Sequence, residues 1–364
     1  MPALSGMTEP CSEPRVPSMS ELRDSIGKIA EGGKLTRKEA RAAFETIMSG
    51  AADDAEIAAF LMGLRMRKES VEEIVGGAQV LREKAIALEA PPGTVDTCGT
   101  GGDGHGTFNV STAAAIVAAA CGVPVAKHGN VSVSSKSGSA EVLERLGVDL
   151  DLPPERVQAC LDTFGLCFLM APKHHRAMRH VAPVRRAMGI RTVFNVLGPL
   201  SNPAGAKRQL IGVYESEWLE PLARTLAALG SEHVWIVHGA DGLDELTVTG
   251  ASEVVEYVGG KLRRFTVTPE QAGLARHPLE ALKGGTPEDN AAAMTDLLDG
   301  KHDAYRDIVL LNAAATLLVA GKTAELAPGV RLAAEAIDTG RAADLLKQWA
   351  AFTRGEVIDV RHAL

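Results

Sequence analysis

Aromatic residues are scarce in this chain, about one residue in 25, and the apolar half of the composition is carried by small and branched aliphatic side chains. That balance suits an alanine- and leucine-rich α/β enzyme. Positive charge is also short: the net charge is −8. A broadly acidic surface argues against nucleic acid or an anionic membrane as partner, while leaving room for a local basic pocket. The five cysteines (Cys11, Cys98, Cys121, Cys160, Cys167) are odd in number and fit no zinc spacing. A disulfide framework is therefore not expected, and a reducing cytoplasm is the natural compartment. No apolar run is long enough to span a bilayer; the best two, residues 113–126 and 308–320, are interrupted by Pro124 and Asn312. Residues 1–17 lack the basic start and apolar core of a signal peptide and read as a disordered lead-in, with Met7 and Met19 as alternative starts. Internal repeats, a phosphate-loop signature and a dinucleotide fingerprint are missing too.

What stands out is one stretch, residues 96–141. Between Gly99 and Gly106 glycine dominates, and Ser111-Thr112 then opens an alanine-rich helical run. Glycine lets backbone approach a ligand closely, and a helix start directs free N–H groups and positive dipole at one point. That point favours an anion such as phosphate. A second polar loop follows: Lys127, His128, Gly129 and Asn130, then Ser132, Ser134, Ser135, Lys136 and Ser139. The first loop alone has a plainer reading as a set of tight turns. Two such cradles in succession point to a ligand with two phosphate groups.

Around that stretch the chain divides. Residues 18–90 form helix after helix, announced by capping boxes at Ser18/Glu21, Thr36/Glu39, Asp53/Glu56 and Ser70/Glu73. Ala90-Pro91-Pro92-Gly93 breaks the pattern. Short apolar runs then alternate with helices, the mark of a mostly parallel sheet. Strands are predicted at residues 95–98, 123–126, 166–170, 209–214 and 233–237, with a hairpin about Gly259-Gly260 joining 253–258 to 262–267. Helices are predicted at 111–121, 137–146, 154–164 and 216–229, with several after Pro287, and a basic helix pattern at 174–188. The expected fold class is α/β: a small all-helical N-terminal domain plus a larger α/β domain, residues 94–171 and 201–364, with a mostly parallel central sheet.

Asp244-Glu245 follows the last parallel strand, where paired carboxylates suit magnesium completed by substrate phosphates. A solvated acidic turn is the plain alternative. Arg185 by itself reads as a solvated helix face, and Cys98 as a small buried residue beside the glycine loop.

The runs GTGGDGHGTFNVST, KHGN, SSKSGSAEVLE, HVAPVRRAMGIRTVFNVLGPLSNPA and HGADGLDEL, in that order, resemble the anthranilate phosphoribosyltransferase family over nearly the whole chain. The resemblance implies transfer of phosphoribosyl from 5-phosphoribosyl 1-diphosphate to the amine of anthranilate, releasing pyrophosphate in tryptophan biosynthesis. It implies that Gly99, Gly102, Asp103, Thr107, Asn109, Val110, Ser111 and Thr112 surround the diphosphate and ribose. Asp103 would orient an N–H, a hydroxyl or a metal-bound water. The second binding loop would comprise Lys127, His128, Gly129, Asn130, Val131, Ser132, Val133, Ser134 and Ser135, with Ser139. Arg185 would meet the anthranilate carboxylate, bordered by Asn130 and Gly99, with His175, Gly198 and Pro199 along its path. Asp244 and Glu245 would hold magnesium and Ser111 a second ion. His128 is a candidate general base or a hydrogen-bonding loop residue. The resemblance further implies that residues 172–200 return to the helical domain and that the chain pairs as a homodimer through that domain. In one position the chain departs: the family's arginine after KHGN is Val131 here, which removes a cation from the loop. Two other readings stay open within the fold, a pyrimidine nucleoside phosphorylase and a nucleic-acid-binding relative without the transferase activity.

Overall fold

The computed structural model describes residues 19–130 and 137–357; the lead-in, the Ser18 cap and the loop residues 131–136 lie outside them. Four helices come first: α1 (Met19–Ala30), α2 (Arg37–Met48), α3 (Asp54–Arg67) and α4 (Val71–Glu83). Thr36, Asp53 and Ser70 each accept the N–H three residues on, and Glu39, Glu56 and Glu73 reach back to the cap. Each cap contributes about 1 kcal/mol and fixes where its helix begins. Gly76 and Gly77 let α4 lie against α2: a Cβ would stand 2.9 Å from Ala40 Cβ or 2.8 Å from the Phe44 ring.

Seven strands follow: β1 (Val95–Gly99), β2 (Val125–Gly129), β3 (Leu166–Met170), β4 (Arg208–Gly212), β5 (His233–Gly239), β6 (Ser252–Val258) and β7 (Lys261–Val267). Their order is β3-β2-β1-β4-β5-β6-β7, parallel through β5 and antiparallel beyond. Between and after them run α5 (Val110–Ala120), α6 (Ser139–Arg145), α7 (Pro154–Phe164), α8 (Ala171–His174), α9 (Ala182–Met188), α10 (Phe194–Leu197) and α11 (Leu219–Ala228). The chain closes with α12 (Pro287–Leu298), α13 (Ala304–Ala320), α14 (Leu326–Asp338) and α15 (Arg341–Thr353).

Alternation along the strands splits the core in two. Leu210, Trp235 and Val237 join α5, α7 and α13–α15 on one face. Ile211, Val213, Val234 and Ile236 join α11 on the other, in one continuous cluster with α1–α4, α9 and α10. That shared cluster seats residues 181–200 against the helical module. Helices α5 and α13 are apolar nearly all round because both are sealed within the first core.

Two expectations need correcting. Lys127, His128 and Gly129 belong to strand β2 and not to a loop, paired with Phe168, Leu169 and Met170 of β3. The reason is a buried carboxylate: Asp96 Oδ1 accepts the His128 N–H at 3.0 Å and extends the strand. The basic helix at 174–188 is broken into α8, a 3₁₀ turn at Arg176–His180, and α9. Pro183 has no N–H to donate and fits only in the first turn of α9, while His175 leaves helical backbone geometry at φ −107°, ψ 63°.

Candidate active site

Adjacent strands β1 and β4 carry the chain toward opposite ends of the sheet order, so a crevice opens beyond their carboxyl ends. Ligands of open parallel sheets bind at such a switch point. Gly99 ends β1 and Gly212 ends β4, and both are glycine for one reason: a Cβ on either would collide with Asp244. The loop after β1 takes left-handed turns at Gly101, Gly102, Gly104 and Gly106, φ between 63° and 79°. It then feeds α5 through Asn109, whose side chain makes no capping bond.

Asp244 and Glu245 close over this loop. Asp244 Oδ2 accepts the Gly101 N–H at 2.7 Å, and Glu245 Oε1 accepts the Ser111 N–H at 3.1 Å. Two N–H groups expected to face an anion are thus held by carboxylates. Burial, then repulsion from Asp103, pushes the Asp244 carboxyl up to about 6. Burial and Asp244 drive Glu245 well above the usual carboxylate range. A desolvated pair of like charges is relieved by a cation between them. The second oxygen of each accepts no bond from another described residue. Hard oxygen donors in this number fit magnesium, which keeps several waters or phosphate oxygens of its own. Asp103 Oδ1 accepts the His105 N–H at 3.2 Å.

Lys127 points back to β1: its Nζ donates to Thr97 O at 2.5 Å and lies 3.1 Å from Ser111 Oγ. Burial lowers its pKa, against the raising influence of Asp96 and Glu245. His128 Nδ1 is 3.1 Å from Gly198 O. A carbonyl only accepts, so Nδ1 carries the proton and Nε2 the lone pair. Nε2 is buried with no partner among the described residues. Burial first, then the neighbouring His175, depress this imidazole to about 3. The two rings lie 5.1 Å apart, and His175 is depressed to about 4, chiefly by burial. Gln209 Nε2 donates to Pro199 O at 2.9 Å, next to the Gly198 carbonyl that faces His128.

Arg185 on α9 sits 5.4 Å over the Phe194 ring. Burial lowers its pKa, and among the described residues no carboxylate pairs with it. Asn130 follows β2 and Ser139 opens α6, its Cβ 3.6 Å from where a Gly129 Cβ would stand. Thr112 and Val110 are buried in the first turn of α5, and Thr107 bridges to Lys283. Val131, Ser132, Val133, Ser134 and Ser135 lie outside the described residues.

Sequence reasoning missed several supports. Arg191 donates to the Gly102 carbonyl, stacks 4.0 Å over Tyr214 and pairs with Glu215, tying the glycine loop to the segment before α10. Asp96 fixes His128, and Asn290 and Tyr305 hold Asn109. No local pattern in the sequence marks them, since the contacts span up to 196 residues.

A helical module and a mostly parallel sheet, with a glycine loop at its switch point and an acidic pair facing it, are the two parts that family models of a two-part glycosyltransferase class match. The model of the glycosyl transferase family α/β domain matches residues 91–343, and that of its helical bundle domain residues 23–85. Among relatives, anthranilate phosphoribosyltransferase of Parvibaculum lavamentivorans is 56% identical over 338 residues, 93% of this chain and 99% of that one. The Paramagnetospirillum magneticum protein of the same name is 55% identical, covering 92% and 97%. Among solved structures, the Thermus thermophilus enzyme superposes with a TM-score of 0.87 at 47% identity, covering 91% and 99%. The Saccharomyces cerevisiae enzyme in complex with PRPP and Mg gives 0.85 at 29% identity, covering 94% and 100%. The chain belongs to the anthranilate phosphoribosyltransferase family.

Proposed function

We propose that this chain transfers the phosphoribosyl group of 5-phosphoribosyl 1-diphosphate to the amine of anthranilate, giving N-(5-phosphoribosyl)anthranilate and pyrophosphate. The observation that carries the reading is the glycine loop at the β1/β4 switch point, faced by Asp244 and Glu245. The S. cerevisiae relative is described with PRPP and Mg, and also with 4-fluoroanthranilate.

In this reading Gly99, Gly102, Asp103, Thr107, Asn109 and the start of α5 (Val110, Ser111, Thr112) cradle the diphosphate and ribose. The KHGN strand end, residues 131–135 and Ser139 take the other phosphate. Asp244 and Glu245 would hold magnesium, with Ser111 at a second ion. When bound, the metal neutralises charge on the departing diphosphate. Arg185 fits the anthranilate carboxylate as a planar fork without a competing acid. An aromatic amine is already neutral at physiological pH, so attack at C1 requires positioning more than a strong base. His128, depressed to about 3, serves as a lone-pair acceptor for an N–H and holds a proton poorly. The C1–diphosphate bond breaks as the N–C1 bond forms, and the amine proton passes to solvent or diphosphate. No covalent enzyme intermediate is required.

The reading extends to two domains, residues 18–90 with 172–200 and residues 94–171 with 201–364, to a cytoplasmic homodimer and to two magnesium ions. Met62 and Met66, one turn apart on α3, expose apolar side chains that suit a dimer contact. Light scattering at the dimer mass supports that contact, and a monomer at micromolar concentration removes it. For the reaction, anthranilate fluorescence should decay on adding PRPP with magnesium and persist without either. Phosphorolysis of a pyrimidine nucleoside with no loss of anthranilate would overturn the assignment.

A further inference from the structure

We propose that Asn290 is a positioning residue that decides which end of the Asn109 amide meets the diphosphate, through a relay of hydrogen-bond polarity. The inference rests on the diphosphate reading of the glycine loop and goes beyond it.

A solvated asparagine presents its oxygen and its NH₂ with little preference, and the two ends act oppositely on an anion. NH₂ donates to a phosphate oxygen, whereas the carbonyl oxygen repels it. At the entrance to α5 the choice is made by a chain of donors whose direction is set by backbone. The Gly285 N–H can only donate, and it lies 2.8 Å from one side-chain atom of Asn290, which must be Oδ1. The other atom is therefore Nδ2, and it lies 2.9 Å from the Asn109 amide, which must present Oδ1 to receive it. Ser137 Oγ, 3.5 Å away, aims at the same oxygen. The Asn109 NH₂ is left without a partner among the described residues, at the helix start where the anion is read to bind.

The relay is built to stay in register. Asn290 is 1% exposed, so water cannot substitute for either bond. Phe108 N donates to Leu282 O at 3.1 Å and Gly284 N to Gly106 O at 2.9 Å, which zips the segment before α12 to the glycine loop. Gly284 has to be glycine there: a Cβ would stand 2.6 Å from Asn290 Oδ1 and 2.9 Å from Thr107 O. From α13, Tyr305 stacks on Phe108 at 4.5 Å, and its hydroxyl donates to Asn109 O at 3.4 Å. Both the main chain and the side chain of Asn109 are thereby fixed by the C-terminal third of the molecule.

Reversing the polarity tests the relay. Asn290→Asp, assayed at pH 8, still accepts from Gly285 but cannot donate to Asn109, so the Asn109 amide turns its oxygen to the diphosphate. KM for PRPP should rise about tenfold or more, with KM for anthranilate within about twofold and the melting curve still cooperative. In an Asn109→Ala background the same change should add less than about twofold, because the relay then has nothing to orient. Unchanged PRPP KM in the folded variant, or losses that simply multiply in the double variant, would overturn the proposal. Should the aspartate prevent folding, Asn290→Ala runs the same cycle without a buried charge and should shift PRPP KM in the same direction. A wild-type protein that leaves anthranilate untouched sinks the diphosphate reading and the relay together. A wild type that turns over while the cycle is additive sinks the relay alone.

Discussion

At the scale of single residues, charge placement dominates. Asp244→Asn or Glu245→Gln keeps the shape of the acidic pair but removes one of the charges that a cation would balance. Turnover should fall about 100-fold, with the magnesium titration displaced to higher concentration. Steady-state kinetics across a magnesium series check this, and unaltered curves would take the pair out of the site. Arg185→Ala removes a partly desolvated guanidinium without an acidic partner among the described residues. Its expected signature is a rise of about tenfold or more in KM for anthranilate, with PRPP KM nearly constant. Equal shifts for both substrates would assign Arg185 to the scaffold. Asp244-Glu245 was legible in sequence because adjacent acids after a strand are conspicuous. The supports Arg191, Asp96 and Asn290 were not, because each is an ordinary polar residue until the fold supplies its partner.

At the scale of elements, the site depends on how closely strand ends and loops approach. Gly212 closes β4 directly beneath the backbone of Asp244, leaving no room for a methyl group. Gly212→Ala should displace the acidic loop, costing about 1–3 kcal/mol of stability and lowering activity at temperatures where the protein is still folded. Paired denaturant melts and assays check both halves; normal activity would mean that the loop yields without consequence. The helix boundaries followed local chemistry, since the caps at Thr36, Asp53 and Ser70 and the Pro154 and Phe164 limits were all visible in sequence. The extension of β2 through Lys127-His128-Gly129 was not visible, because a polar run joins a strand only when a buried acid and a neighbouring strand take up its N–H groups.

At the scale of the whole molecule, burying histidines ties stability to pH. His175 is held to about 4 in the folded state, below the ordinary histidine value, chiefly by burial. The unfolded chain takes up a proton as pH falls through about 6.5, while the folded chain does so only near 4. The stabilisation is thus complete above the unfolded pKa and is lost as pH drops across that window. Asp244, raised to about 6, acts in the opposite sense, so total stability alone does not isolate the histidine. Comparison with His175→Asn does: between pH 7.5 and pH 5 the wild type should lose about 2 kcal/mol more than the variant. Parallel pH profiles from chemical denaturation would refute it.

Sequence alone determined the fold class, the capped helices of the N-terminal module and the motifs, because caps, glycine turns and apolar periodicity act over a few residues. It also placed the acidic pair and the glycine loop, whose composition is unusual wherever it occurs. Tertiary structure alone decided the rest: which strands adjoin, so that Gly99 and Gly212 meet the same aspartate, and which buried polar groups find partners. Those pairings join residues from 32 to more than a hundred positions apart, and a chain read in order carries no local trace of the energy that selects them.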